Sequence, residues 1–93
     1  MTGKNIDDAQ KLFEQNNLNQ ALEILNSILS ENATDVFSFN LRARIHYKMQ
    51  KWGNAMNDYA SVLEIEPENQ EARTGLEMAK SILGYFTPDM FNP

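Results

Sequence analysis

Cysteine is absent from this 93-residue sequence, and other residue types that build reactive sites are scarce. Without cysteine the chain has no disulfide framework and no thiolate metal site, which is typical of a reducing compartment. His46 is the single histidine, so a Cys-His pair is excluded and a zinc site would have only one nitrogen ligand. The four glycines stand singly, so no glycine-rich phosphate loop is present. We therefore predict a non-catalytic protein that needs no cofactor and no metal.

Basic residues are also in short supply, with 8 Lys and Arg against 13 Asp and Glu and a net charge of −5. Nucleic-acid backbones favour proteins with a surplus of positive charge, so we expect no nucleic-acid partner. Apolar runs are only a few residues long, so we expect no membrane-spanning helix and no membrane partner. The N-terminus, MTGKNIDDAQ, lacks the apolar segment of a secretory signal. A cytoplasmic protein is the resulting expectation.

The sequence does contain an internal repeat. A shift of about 34 positions places apolar and small residues of the first half on those of the second. The two sets are Ala9, Phe13, Leu18, Ala21, Leu25, Ile28 and Leu29, and Ala43, Tyr47, Trp52, Ala55, Tyr59, Val62 and Leu63. Helical spacing within each set predicts two helical hairpins joined in tandem.

Polar residues and a proline mark the ends of the helices. N-caps are predicted at Asn5, Asn17, Asp35 and Asn69. Gln20 completes a capping-box pattern with Asn17, whereas Lys51 is a poor cap for the fourth helix. Pro67 ends that helix because its ring blocks continuation. A fifth helix then runs from 69 to about 83, with Gly84 at its C-terminus.

These residues resemble the pattern of the tetratricopeptide repeat (TPR) family. The match is best in the second unit, at Phe39, Ala43, Tyr47, Trp52, Ala55, Tyr59, Val62 and Pro67. The first unit departs from the family at Ala33, where a proline is usual, and His46 replaces a tyrosine in the second. The resemblance implies an all-α, TPR-like α-solenoid of antiparallel helix-turn-helix repeats. Two helix pairs (about 5–34 and 35–68) and a capping helix (about 69–83) would form one domain, 1–84.

The resemblance further implies a concave groove formed by the first helix of each pair. Carried onto this chain, the groove residues are Ile6, Gln10, Phe13, Phe37, Leu41, Arg44, Tyr47, Lys48 and Met78. The implied function is a protein–protein interaction scaffold, or adaptor, that binds a peptide or protein segment. Family members that clamp chaperone C-termini use basic and amide residues at positions that here are Ile6, Gln10, Leu41, Glu71 and Gly75. That particular function is therefore not expected.

Each charged or polar feature also has a purely structural interpretation. His46 is predicted to lie inside the helix-packing interface as a core histidine rather than to act in catalysis. The basic segment comprises Arg42, Arg44, Lys48 and Lys51, with no acid between Asp35 and Asp58. It is either a solvated helix face or a strip, centred on Arg44 and Lys48, that recognises acidic groups of a peptide. The carboxylates Glu64, Glu66, Glu68 and Glu71 are expected to face solvent.

The last nine residues, Tyr85–Pro93, are rich in aromatic and apolar side chains for a chain terminus. Three interpretations stay open: docking on the same domain, insertion into a second copy to give a homodimer, or recognition by another protein. The second interpretation supplies an alternative function, a structural homo-oligomerisation module that the tail completes.

Overall fold

All five predicted helices are present in the computed structural model, which describes residues 5–86, with side chains for 5–84. The described range contains no strand, so the prediction of an all-α protein is confirmed. The helices are α1 (Ile6–Glu14), α2 (Leu18–Glu31), α3 (Val36–Lys48), α4 (Trp52–Ile65) and α5 (Gln70–Phe86). Short turns connect them, so consecutive helices pack as antiparallel neighbours.

The two hairpin turns have the same backbone geometry. Asn16 and Gln50, which lie 34 positions apart, both adopt the left-handed region with φ of 63°. The next residues, Asn17 and Lys51, donate their N–H groups to the carbonyl oxygens five positions earlier, at 2.7 and 2.8 Å. This bond, together with the bonds from the Asn16 and Gln50 N–H groups to the carbonyls three positions earlier, forms a Schellman motif and satisfies carbonyl groups that the helix leaves without a partner. The repeat found in the sequence is therefore also a repeat of the backbone.

The helix N-termini differ from one another in how they are capped. Asn5 and Asp8 form a full capping box on α1, and Asn69 Oδ1 accepts the N–H of Ala72 at 3.0 Å in α5. The capping box predicted at Asn17 is wrong, because that side chain makes no capping hydrogen bond. Asp35 makes none either. Its Oδ2 accepts the Ser38 hydroxyl at 2.9 Å instead of a backbone N–H.

The helices pack in chain order, and α3 lies at the centre. Each helix contacts the next along the chain, and α3 also contacts α1 and α5. One core cluster joins the first hairpin, formed by α1 and α2, to Leu41 and Ile45 of α3. The other joins α3, α4 and α5 through Ala43, Tyr59 and Ala72. Because α1, α3 and α5 are neighbours, their outer sides form one continuous surface, which we call the α1–α3–α5 face.

Alanines are among the most completely buried residues of the helix packing. They are fully buried at Ala9, Ala21, Ala43, Ala55, Ala72 and Ala79. Small side chains let helix backbones approach closely, and the bulky residues beside them fill the remaining space. Leu25, Leu41, Ile45 and Val62 are correspondingly the largest apolar side chains that are fully buried.

Helix α5 ends later than the sequence predicts. It continues past Gly84 to Phe86, so the first two residues assigned to the tail, 85 and 86, belong to this helix. Arg73 and Lys80 are exposed on it, which fits the polar outer side expected of a terminal helix. The remainder of the tail, 87–93, lies outside the described residues, so its docking and its role in a homodimer stay predictions.

Candidate functional site

An apolar pocket lies on the α1–α3–α5 face. Its volume is about 240 Å³, and it is lined by Phe13, Arg44, Tyr47, Tyr59, Gly75 and Met78. Phe13 comes from α1, Arg44 and Tyr47 from α3, and Gly75 and Met78 from α5, while Tyr59 reaches it from α4. The ring of Tyr47 is fixed by the edge of Trp52, with ring centres 5.0 Å apart. An apolar, aromatic-lined concavity of this kind is the usual form of a binding site.

A second concavity of about 310 Å³ adjoins the first along α5. It is lined by Tyr47, Glu77, Met78, Ser81 and Ile82. Tyr47 and Met78 belong to both concavities, so the two form a single groove between α3 and α5. Met78 is 50% exposed in this groove, so its side chain is accessible to a partner.

The structure brings some of the predicted groove residues together and separates others. Phe13, Arg44, Tyr47 and Met78 line the pocket as one group. Phe37 is 58% exposed near the start of α3, and it belongs to neither concavity. Ile6 and Gln10 are half-buried on α1, where Ile6 packs against the core and Gln10 donates a hydrogen bond to Glu14.

Leu41 was predicted to line the groove, and this prediction is wrong. Its side chain is fully buried and packs with Ile45 and residues of the first hairpin. Helix α3 has neighbours on two sides, so a position four residues after the exposed Phe37 can still point into the core. Leu41 therefore presents no surface to a partner.

The basic strip predicted along α3 is not continuous. Arg44 forms a two-pronged ion pair with Glu71 of α5, in which Nη2 lies 2.9 Å from Oε1. The hydrogen bonds to Glu71 raise the pKa of the Arg44 guanidinium further above its usual value. Glu71 is consequently not a simple solvent-facing acid, unlike the exposed Glu64, Glu66 and Glu68. The pair links α3 to α5 at the edge of the pocket and neutralises the positive charge of Arg44 there.

Arg42 serves a different, structural purpose. Its Nε and Nη2 donate to the two carboxylate oxygens of Asp58 in α4, both at 2.8 Å. Its Nη1 donates to Asn26 Oδ1 in α2, also at 2.8 Å. Asp58 is only 4% exposed, so this is a largely buried ion pair. Arg42 therefore ties α2, α3 and α4 together and does not contribute to the groove.

Lys48 differs from both arginines. Its Nζ lies 5.5 Å from the centre of the Phe13 ring, which is a cation–π distance. Lys48 thus places a positive charge at the Phe13 edge of the pocket. No described carboxylate forms an ion pair with this charge.

The sequence interpretation missed two residues of the pocket, Tyr59 and Gly75. Tyr59 was assigned to the helix-packing pattern, and it is indeed only 4% exposed, but part of its ring forms the pocket floor. Burial raises the pKa of its hydroxyl group. Gly75 did give a signal, since a glycine inside a helical pattern costs about 1 kcal/mol relative to alanine and therefore raises the question of a packing reason.

His46 is packed inside the helix interface, as predicted. Its side chain is 14% exposed, and its Nε2 lies 3.8 Å from Oδ2 of Asp58. Burial lowers the pKa of the imidazole, the nearby Asp58 carboxylate opposes this shift, and Arg42 and Lys51 reinforce it. Its Nδ1 is buried without a hydrogen-bond partner in the described structure. These surroundings favour the neutral form of the ring.

Stability should therefore fall as the solution is acidified below about pH 6.5. The unfolded chain, with a histidine pKa near 6.5, binds the proton before the folded protein does. The stabilising contribution is complete above that pKa and declines below it, at most by about 1.4 kcal/mol per pH unit. Urea unfolding at several pH values measures this slope, and His46→Gln should flatten it. Equal slopes for the two proteins would contradict the assignment.

Within residues 5–86, His, Asp and Glu side chains nowhere group in threes as ligands for a metal ion. In that same range no helix has the length and apolar character needed to cross a membrane. No family model matches the chain, and comparisons with curated proteins and with solved structures find no significant relative.

Proposed function

We propose that this protein is a non-catalytic protein–protein interaction scaffold of the TPR-like type, which binds a peptide or protein segment on the α1–α3–α5 face. The observation that carries the proposal is the apolar pocket between Phe13, Tyr47 and Met78. Four of the five described helices, α1, α3, α4 and α5, contribute to it, so the fold as a whole builds the concavity. A pocket of this shape suits an apolar side chain of a partner.

The repeated backbone supports the same proposal. The turns at Asn16 and Gln50 have the same left-handed φ, and the helices on either side of each turn follow the same spacing. Stacked repeats of this kind form an extended concave surface. A rigid concave surface suits peptide binding, because little ordering of the scaffold is needed when the partner arrives.

Met78→Asp should abolish this binding without unfolding the protein. Met78 is half-exposed, so the carboxylate remains hydrated in the free protein, but a bound apolar group would have to desolvate it. We expect affinity to fall by at least about tenfold. The measurement is selection of phage-displayed random peptides on the immobilised full chain, followed by fluorescence titration of the selected peptides.

Ala60→Asp is the matched control. Ala60 is an exposed apolar residue on α4 that lines neither concavity, so the same charge is introduced away from the groove. Peptides selected by the unmodified chain should bind this variant with unchanged affinity. Peptides that bind Met78→Asp as tightly as the unmodified chain would contradict the proposed site, and failure to select any peptide would contradict the proposed function.

A further inference from the structure

We infer that the groove selects peptide segments in which a bulky apolar side chain lies one or two residues from an aspartate or glutamate, with Lys48 as the residue that meets the carboxylate. This inference rests on the proposed function and specifies the chemistry of the ligand. From the sequence, Arg44 and Lys48 were both candidates for recognising an acidic group. The inference assigns this role to Lys48 alone.

The charges around the pocket single out Lys48. Arg42 is held by Asp58 and Asn26, and Arg44 is held by Glu71 through two hydrogen bonds. If either arginine turned toward a ligand, its carboxylate partner would lose the ion pair. For Arg42 that partner is Asp58, which is buried, so the cost would be high. Lys48 forms no ion pair with any described residue, and it is exposed.

The position of Lys48 sets the spacing of the two recognised groups. Its ammonium lies 5.5 Å from the centre of the Phe13 ring, and Phe13 forms one wall of the pocket. An extended peptide advances about 3.3 Å per residue, so a carboxylate one or two residues from the anchoring side chain reaches the ammonium. The ammonium has three donor hydrogens, so it can bind a carboxylate while it stays above the ring.

The opposite end of the groove carries the opposite charge. Glu77 lines the second concavity, on α5, whereas Phe13 lines only the first. A ligand carboxylate placed near Glu77 would be repelled, whereas one placed near Phe13 would be attracted. The ligand is therefore oriented with its acidic residue toward α1 and its apolar anchor between Tyr47 and Met78.

The test uses the peptides selected from the phage-displayed library, synthesised in their original form and with each acidic residue replaced by its amide. Lys48→Glu should weaken the original peptides by about tenfold, because an attraction becomes a repulsion. The amide forms should be insensitive to this substitution. Peptides in which the acid is replaced by lysine should bind Lys48→Glu better than they bind the unmodified chain.

Lys80→Glu is the control, since Lys80 is an exposed lysine on the outer polar side of α5. It makes the same change in net charge and should leave affinity within about twofold. Selected peptides without acidic residues, or an equal loss of affinity in Lys48→Glu and Lys80→Glu, would overturn the inference. Binding that depends on Met78 but not on Lys48 would overturn the inference and leave the proposed function standing.

Discussion

Arg42→Met is expected to lower the free energy of unfolding by about 3 kcal/mol, and the melting temperature by more than about 10 °C. The substitution keeps most of the aliphatic volume of the side chain but removes both hydrogen bonds to Asp58. The carboxylate of Asp58 then lacks its arginine partner, in a site where only 4% of the residue is exposed. A buried charge that loses its partner pays its desolvation cost without compensation, and this cost is large against a total stability of about 5–15 kcal/mol.

Arg44→Met is the matched control for this prediction. Arg44 lies on the same helix and makes the same two-pronged contact with a carboxylate, but the side chains of Arg44 and Glu71 are 37% and 38% exposed. An ion pair with that access to water contributes at most about 1 kcal/mol. Urea unfolding of the two variants therefore compares ion pairs that differ mainly in burial. Equal losses of stability would show that burial of Asp58 is not the deciding factor.

The double variant Arg42→Met with Asp58→Leu provides a second check. It removes the stranded charge along with its partner and replaces both with apolar groups of similar size. Buried ion pairs that are exchanged in this way are often as stable as the original or more so. We expect the double variant to recover most of the stability that Arg42→Met loses. If it is less stable than the single variant, the loss comes from packing and not from the unpaired carboxylate.

The helices were predictable because their signals are local. Apolar residues at helical spacing, a proline after α4 and a 34-residue repeat are all properties of short stretches of sequence. The left-handed turn residues Asn16 and Gln50 also recur at that period, although only asparagine is a residue that tolerates this conformation readily. The repeat therefore carried more information about the turns than either residue type alone.

The helix caps were less predictable because side chains compete for the same partners. Asp35 has the right chemistry to cap α3, but the hydroxyl of Ser38 takes up its carboxylate oxygen. Asn17 has the right chemistry as well, yet its amide instead donates to Gln15 at 3.3 Å. Residue type shows that a cap is possible, and only the local geometry decides whether the hydrogen bond forms.

The groove was predictable in part, because its positions follow from which helices face outward. The ion pairs were not, since Arg44 and Glu71 are 27 residues apart and meet only through the packing of α5 on α3. That contact changed the interpretation of the site, because it removes Arg44 from the set of charges available to a ligand. Leu41 was misplaced for a related reason, namely that α3 has core contacts on two sides.

Gly75→Ala is expected to destabilise the protein by up to about 2 kcal/mol, although alanine is the better helix former. A methyl group at this position would lie closer than 3.0 Å to Cε1, Cε2 and Cζ of Tyr59. Tyr59 is 4% exposed and packs with Ala43, Ala55 and Ala72, so its ring has little room to withdraw. Overpacking of this kind usually costs about 1–3 kcal/mol, which exceeds the gain of about 1 kcal/mol from helix propensity. Thermal unfolding followed by circular dichroism measures the difference.

Gly53→Ala makes the same change in α4, at a site where nothing lies within 4 Å of the added methyl group. Helix propensity then acts alone, and this variant should be more stable than the unmodified chain by up to about 1 kcal/mol. The opposite signs of the two effects separate a steric cause from a propensity cause. The decisive comparison is Gly75→Ala in the Tyr59→Leu background, where the ring is gone and the substitution should no longer destabilise. If the cost is the same with and without the ring, the close approach of α5 to Tyr59 is not the reason for the glycine.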